Sequence, residues 1–72
     1  MILKDWLTKN RKTAAQGAAF FGVKKSSFNS WLYLFRFPAS RTLAVIELRA
    51  PDLDVKAWRI EYLLKQDEVK QQ

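Results

Sequence analysis

The sequence predicts a small all-α domain of four to five helices. Three observations carry that expectation. The chain has 72 residues with only two glycines and two prolines, so little of it is left for loops. Its apolar residues recur three and four apart in several short runs, the helical spacing. It has no cysteine and no histidine, so neither disulfides nor an ordinary zinc site can staple it, and apolar packing must hold it together. The material for that packing is present. Hydrophobic residues make up 49% of the chain and aromatic residues 14%, including Trp6, Trp31 and Trp58. That composition argues against disorder, and the length allows one domain at most.

The first helix is expected from Ile2, Leu3, Trp6 and Leu7, ending near Lys9 or Asn10, with Asn10-Arg11-Lys12 as a basic connector. Thr13-Ala14-Ala15-Gln16 has the spacing of a capping box and should open a second helix. Gly22 suits the left-handed residue that ends it. Gly17, inside that helix, costs about 1 kcal/mol against alanine and so points to a close helix crossing. A third helix begins at Lys24 or Lys25 and ends between Tyr33 and Phe35. Phe28, Trp31 and Leu32 share its inner face, while Lys25, Ser26, Asn29 and Ser30 share the other.

Phe37-Pro38 interrupts the chain, and Pro38 is suited to the first turn of a fourth helix running to about Ala50, where Pro51 stops it. Asp52 or Asp54 should cap the last segment, Val55 to Leu64. Two readings of that segment stay open. As a helix, Leu53, Ala57, Ile60 and Leu64 line one face, Val55, Trp58 and Tyr62 nearly the opposite one, and Glu61 pairs with Lys65. As a strand, Trp58, Ile60, Tyr62 and Leu64 alternate with Arg59 and Glu61. The abundance of Ala, Leu, Lys, Glu and Gln favours the helix. Residues 1–66 then form the domain and 67–72 a frayed polar tail.

The net charge is +6, with an isoelectric point near 10.0. It is unevenly placed. Residues 1–36 hold seven basic side chains against Asp5 alone, whereas residues 37–72 hold six of each sign. One electropositive face and a neutral remainder fit a polyanion binder. The longest apolar stretch, Ala18 to Val23, is far too short to span a membrane. The N-terminus lacks the order of a secretory signal, so a cytoplasmic location is expected. An enzyme is not expected: there is no histidine or cysteine, no glycine-rich phosphate loop and no obvious carboxylate pair.

The two helices that meet at Gly22 carry the functional signal. Ala18 stands four residues before the glycine, and Val23, Phe28 and Trp31 follow it as buried positions, which is the helix-turn-helix pattern. A helix so presented fits the major groove of DNA, where lysine can donate to guanine, asparagine can pair with adenine and serine can serve either. The run from Ala18 to Leu32 resembles the helix-turn-helix of Cro/CI-type phage regulators, especially small Cro-like and YdaS-like members. Phe37-Pro38-Ala39-Ser40-Arg41, leading to Ile46-Glu47, is similar to the segment that follows it there. The resemblance covers about half the chain, from Thr13 to Ala50. This chain departs from the pattern at Ala14 (often glutamine), Gly17 (a large apolar residue), Lys24 (serine) and Leu34 (glycine).

The resemblance implies a lambda-repressor-like domain that acts as a phage or prophage repressor in the cytoplasm of a bacterial host, on the nucleoid. It implies double-stranded DNA as partner, read as a homodimer on a palindromic operator, with no cofactor, metal, membrane or small-molecule substrate. Lys25, Ser26 and Asn29 fall at its base-reading positions, flanked by Lys24 and Ser30. Lys9, Arg11, Lys12, Thr13, Ser27, Tyr33, Arg36 and Arg41 are the candidates for phosphate contacts. Dimerisation is assigned to Val55, Trp58 and Tyr62, since a helical last segment leaves one apolar face outside. The alternative folds Trp58 back over the first helix near Trp6. Phe28, Trp31 and Trp6 are read as core, while Tyr33, Phe35 and Phe37 either cover the core or form an exposed patch. A second reading keeps the helical fold as a protein-interaction module, such as an antitoxin or anti-repressor.

Overall fold

A computed structural model describes residues 1–70 as five helices: α1 (Ile2–Lys9), α2 (Ala14–Phe21), α3 (Lys25–Leu32), α4 (Ser40–Arg49) and α5 (Val55–Lys70). Among the described residues there is no strand, so the strand reading of the last segment is excluded. No helix among them is long and apolar enough to cross a membrane.

Local signals set the first three helices. Leu3, Trp6 and Leu7 put the buried stripe of α1 at the expected spacing. The capping box opens α2: the Gln16 amide donates to Thr13 Oγ1 at 3.2 Å, and the Thr13 amide donates to Gln16 Oε1 at 2.9 Å. Gly22 ends it at φ 69°, ψ 33°. The Val23 amide then donates to the Ala18 carbonyl and the Gly22 amide to that of Ala19, the bond pair of a Schellman turn. A Cβ added at Gly17 would lie 2.7 Å from both Leu7 Cδ2 and Phe28 Cζ. The missing side chain therefore lets α1, α2 and α3 converge on one point.

The end of α3 repeats the Schellman turn without a glycine. The Phe35 amide donates to the Ser30 carbonyl and the Leu34 amide to that of Trp31. Leu34 takes the left-handed position at φ 61°. Strain there is of order 1 kcal/mol for a leucine. Burial of its side chain offsets that cost, and Gln66 Nε2 donates to its carbonyl at 3.0 Å.

Four expectations need correction. Pro38 does not lie in the first turn of α4. Ala39 is the N-cap, and Pro38 is buried just ahead of it, holding the chain extended. Of the stretch expected to fray, residues 67–70 are helical, because α5 continues to Lys70, and residues 71 and 72 lie outside the described residues. Its last turns are anchored by Lys65, whose Nζ donates to the Tyr33 carbonyl at 3.3 Å, and by Gln66. Glu61 accordingly does not pair with Lys65. It accepts the Ile2 amide at 3.1 Å and faces the N-terminal ammonium.

The fourth correction concerns Val55, Trp58 and Tyr62. They do not form an outer face. Trp58 is fully enclosed, and Val55 and Tyr62 pack partly buried against the core. The Trp58 ring centroid lies 4.8 Å from that of Phe37 and 6.3 Å from that of Trp31, and Tyr62 stacks on Phe37 at 5.5 Å. Trp58 thus turns inward, but onto α3 and the loop after it. Ile60, Leu63 and Leu64 occupy the outer side of α5. Asp54 caps that helix by accepting the Ala57 amide at 3.0 Å.

Candidate nucleic-acid interface

From Trp6 to Ile46 the chain contains no aspartate or glutamate. The helix-turn-helix and the connectors on either side of it lie inside that stretch, so every formal charge on them is positive.

The α3 helix presents its polar side because Phe28 and Trp31 fix the other. Phe28 has no exposed surface and Trp31 very little. Phe28 stacks between Phe21 and Trp31 at 6.1 and 6.0 Å. Rotation of α3 about its axis would pull these rings out of the core. Lys24, Lys25 and Ser26 are consequently exposed, and Asn29 and Ser30 are half-buried beside them. Ser30 Oγ donates to the Ser26 carbonyl at 3.1 Å. That leaves its oxygen as an acceptor and makes Ser30 a weaker reader than Asn29, whose amide offers both a donor and an acceptor.

The other candidates divide into those brought to α3 and those that are not. Ser26, Ser27 and Ser30 line a cleft of about 320 Å³ with Arg36 and Ala39. Arg41 is exposed in the first turn of α4, next to that cleft's Ala39. On another flank, Tyr33 and Leu32 at the end of α3 line a groove with Lys12, Thr8 and Lys4. The Lys12 Nζ lies 4.8 Å from the centroid of the Phe20 ring, which is not part of that groove. Arg11 is exposed at the left-handed corner between α1 and α2, at φ 54°. Thr13 Oγ1 accepts the Gln16 amide at the cap, and its O–H is still able to donate.

Lys9 stands apart. It lines a groove with Asp5, Asp52 and Asp54 that contains no residue of α3, and its charge is locally balanced. Lys4, which was not among the candidates, lines the groove with Lys12 and Tyr33. Arg49 is an exposed cation with a structural task, since its Nη1 donates to the Phe20 carbonyl at 2.8 Å and closes the end of α2. Tyr33 and Phe35 are exposed and stack on each other at 6.2 Å. Of the three undecided aromatics they form the patch, and Phe37 covers the core.

The arrangement offers a short helix with amide, hydroxyl and ammonium groups on its free side, and cations on two flanks. Such a surface can read base edges and hold phosphates on either side of a groove. Among the described residues no group of three acidic, histidine or cysteine side chains could hold a metal ion. Comparison with protein-family models, with curated proteins and with solved structures finds no match to this chain.

Proposed function

We propose that this protein is a sequence-specific double-stranded DNA-binding regulator, a Cro-like repressor of a phage or prophage that acts as a dimer on a palindromic operator. The observation that carries the reading is the orientation of α3. Phe28 and Trp31 turn its apolar side inward, which leaves Lys25 and Ser26 exposed and Asn29 half-buried on a helix within the acid-free stretch from Trp6 to Ile46. In this reading the three side chains meet base edges in the major groove, with Lys24 and Ser30 at the margins. Arg36, Arg41 and Ser27 hold one phosphate strand, and Lys12, Tyr33 and Lys4 the other. Lys9 is dropped from the contact set, and Thr13 contributes by fixing the start of α2. One short helix reads few base pairs, and a two-fold dimer doubles the site.

Selection from a random duplex library tests this reading. It expects an enriched motif with two-fold symmetry. A second reading, a protein-interaction module on the same fold, draws on the exposed rings of Tyr33 and Phe35. It expects no enriched motif.

A further inference from the structure

The outer side of α5 has an ordered pattern that the core does not use. Lys56, Ile60, Leu63 and Asp67 follow one another at spacings of four, three and four, so they form one seam along the helix. All four are exposed, Ile60 at 49% and Leu63 at 54%, with Leu64 beside them at 66%. Ile60, Leu63, Leu64 and Asp67 line a shallow groove on this face. The seam is basic at its start, apolar in the middle and acidic at its end.

We propose that this seam is where a second copy of the chain docks, with the two α5 helices antiparallel about a two-fold axis. The register follows from the sequence. The midpoint of Ile60 and Leu63 is also the midpoint of Lys56 and Asp67. A two-fold axis at that point sets Ile60 against the partner's Leu63 and, on the same axis, Lys56 against the partner's Asp67. Each contact occurs twice, as an isologous interface requires. A parallel, in-register pairing would instead place Lys56 against Lys56 and Asp67 against Asp67, which opposes like charges at both ends. The charge order therefore selects a second copy of this chain, in one orientation. It also lies on α5 and shares no residue with the two grooves that α3 lines. The proposal deepens the dimer of the previous section and rests on that reading for the stoichiometry alone.

The test is sedimentation equilibrium of the full chain without DNA, with circular dichroism to confirm that each variant is folded. Wild type is expected to be a dimer. Lys56→Glu and Asp67→Lys, both on exposed residues, should each weaken self-association about tenfold or more, because each sets like charges together twice. Mixing the two variants should restore a dimer, as the reversed charges then match across the axis. The double variant should also dimerise alone. A wild type that stays monomeric at high concentration would overturn the proposal. So would single reversals that leave the dimer unchanged, or a mixture that does not rescue it. None of these readings depends on DNA, so a failure here leaves the library selection to judge the DNA-binding reading separately.

Discussion

The indole N–H of Trp6 donates to Asp52 Oδ1 at 3.1 Å, joining the middle of α1 to the turn that leads into α5. Asn10 Nδ2 reaches the other carboxylate oxygen at 3.4 Å. The Trp6 hydrogen bond, with help from Asn10 and the charge of Lys9, holds the Asp52 carboxyl below its ordinary value. A carboxyl lowered in the folded state adds stability above its unfolded pKa, about 3.9, and loses it as pH falls through the folded value. Unfolding by denaturant at pH 6 and at pH 3 should therefore show a smaller drop in stability for Asp52→Asn than for wild type. Equal drops would mean that the bond does not favour the charged form.

Gly17→Ala pits two effects against each other. Alanine gains about 1 kcal/mol in helix propensity. The added Cβ, however, meets Leu7 and the fully buried Phe28 at 2.7 Å, and overpacking of this kind costs about 1–3 kcal/mol. A net loss of stability is expected in thermal melting. A gain would show that the three helices are less tightly crossed than described.

Trp58→Ala should destabilise the fold by about 3–5 kcal/mol, because it empties the space between Phe37 and Trp31. Trp58→Phe should cost less. Phenylalanine keeps an aromatic ring in most of the emptied space, and both variants alike remove the Trp58 indole N–H, which is buried without an acceptor among the described residues. Denaturant midpoints of the two variants measure the difference, and equal losses would contradict the packing role given to the ring.

How legible these features were in the sequence depends on their range. The capping box of Thr13 and Gln16 and the left-handed Gly22 are set within a few residues, and they read correctly. So did the inward side of α3, where Phe28 and Trp31 leave a clean polar opposite face. The direction of Trp58 was not legible. Apolar residues lie on both sides of α5, so periodicity gives two candidate faces. The choice falls to Phe37 and Trp31, which are distant in sequence. Likewise, the polar residues after Gln66 looked like a tail because the bonds of Lys65 and Gln66 to the turn after α3 are long-range. Lys9 counted as one more cation until the fold set it among Asp5, Asp52 and Asp54.

Arg36→Ala and Lys9→Ala should separate two kinds of surface cation. Loss of Arg36 is expected to weaken all duplexes alike and to flatten the slope of log K against log salt by about one unit. Lys9→Ala should leave that slope nearly unchanged. The reverse pattern would move the phosphate contacts to the α1–α5 side.

Asn29→Ala and Lys25→Ala should weaken a selected site much more than random duplex. A lost base contact of this kind costs about 1–3 kcal/mol of discrimination. Equal losses on both duplexes would reduce these residues to phosphate attraction.

The most direct measurement of the central claim compares wild-type affinity for the duplex recovered by library selection with that for a scrambled duplex of equal length, at one fixed salt concentration. The account predicts a preference of about a thousandfold or more for the selected site. Equal affinity for the two, or no duplex enriched to begin with, would contradict it.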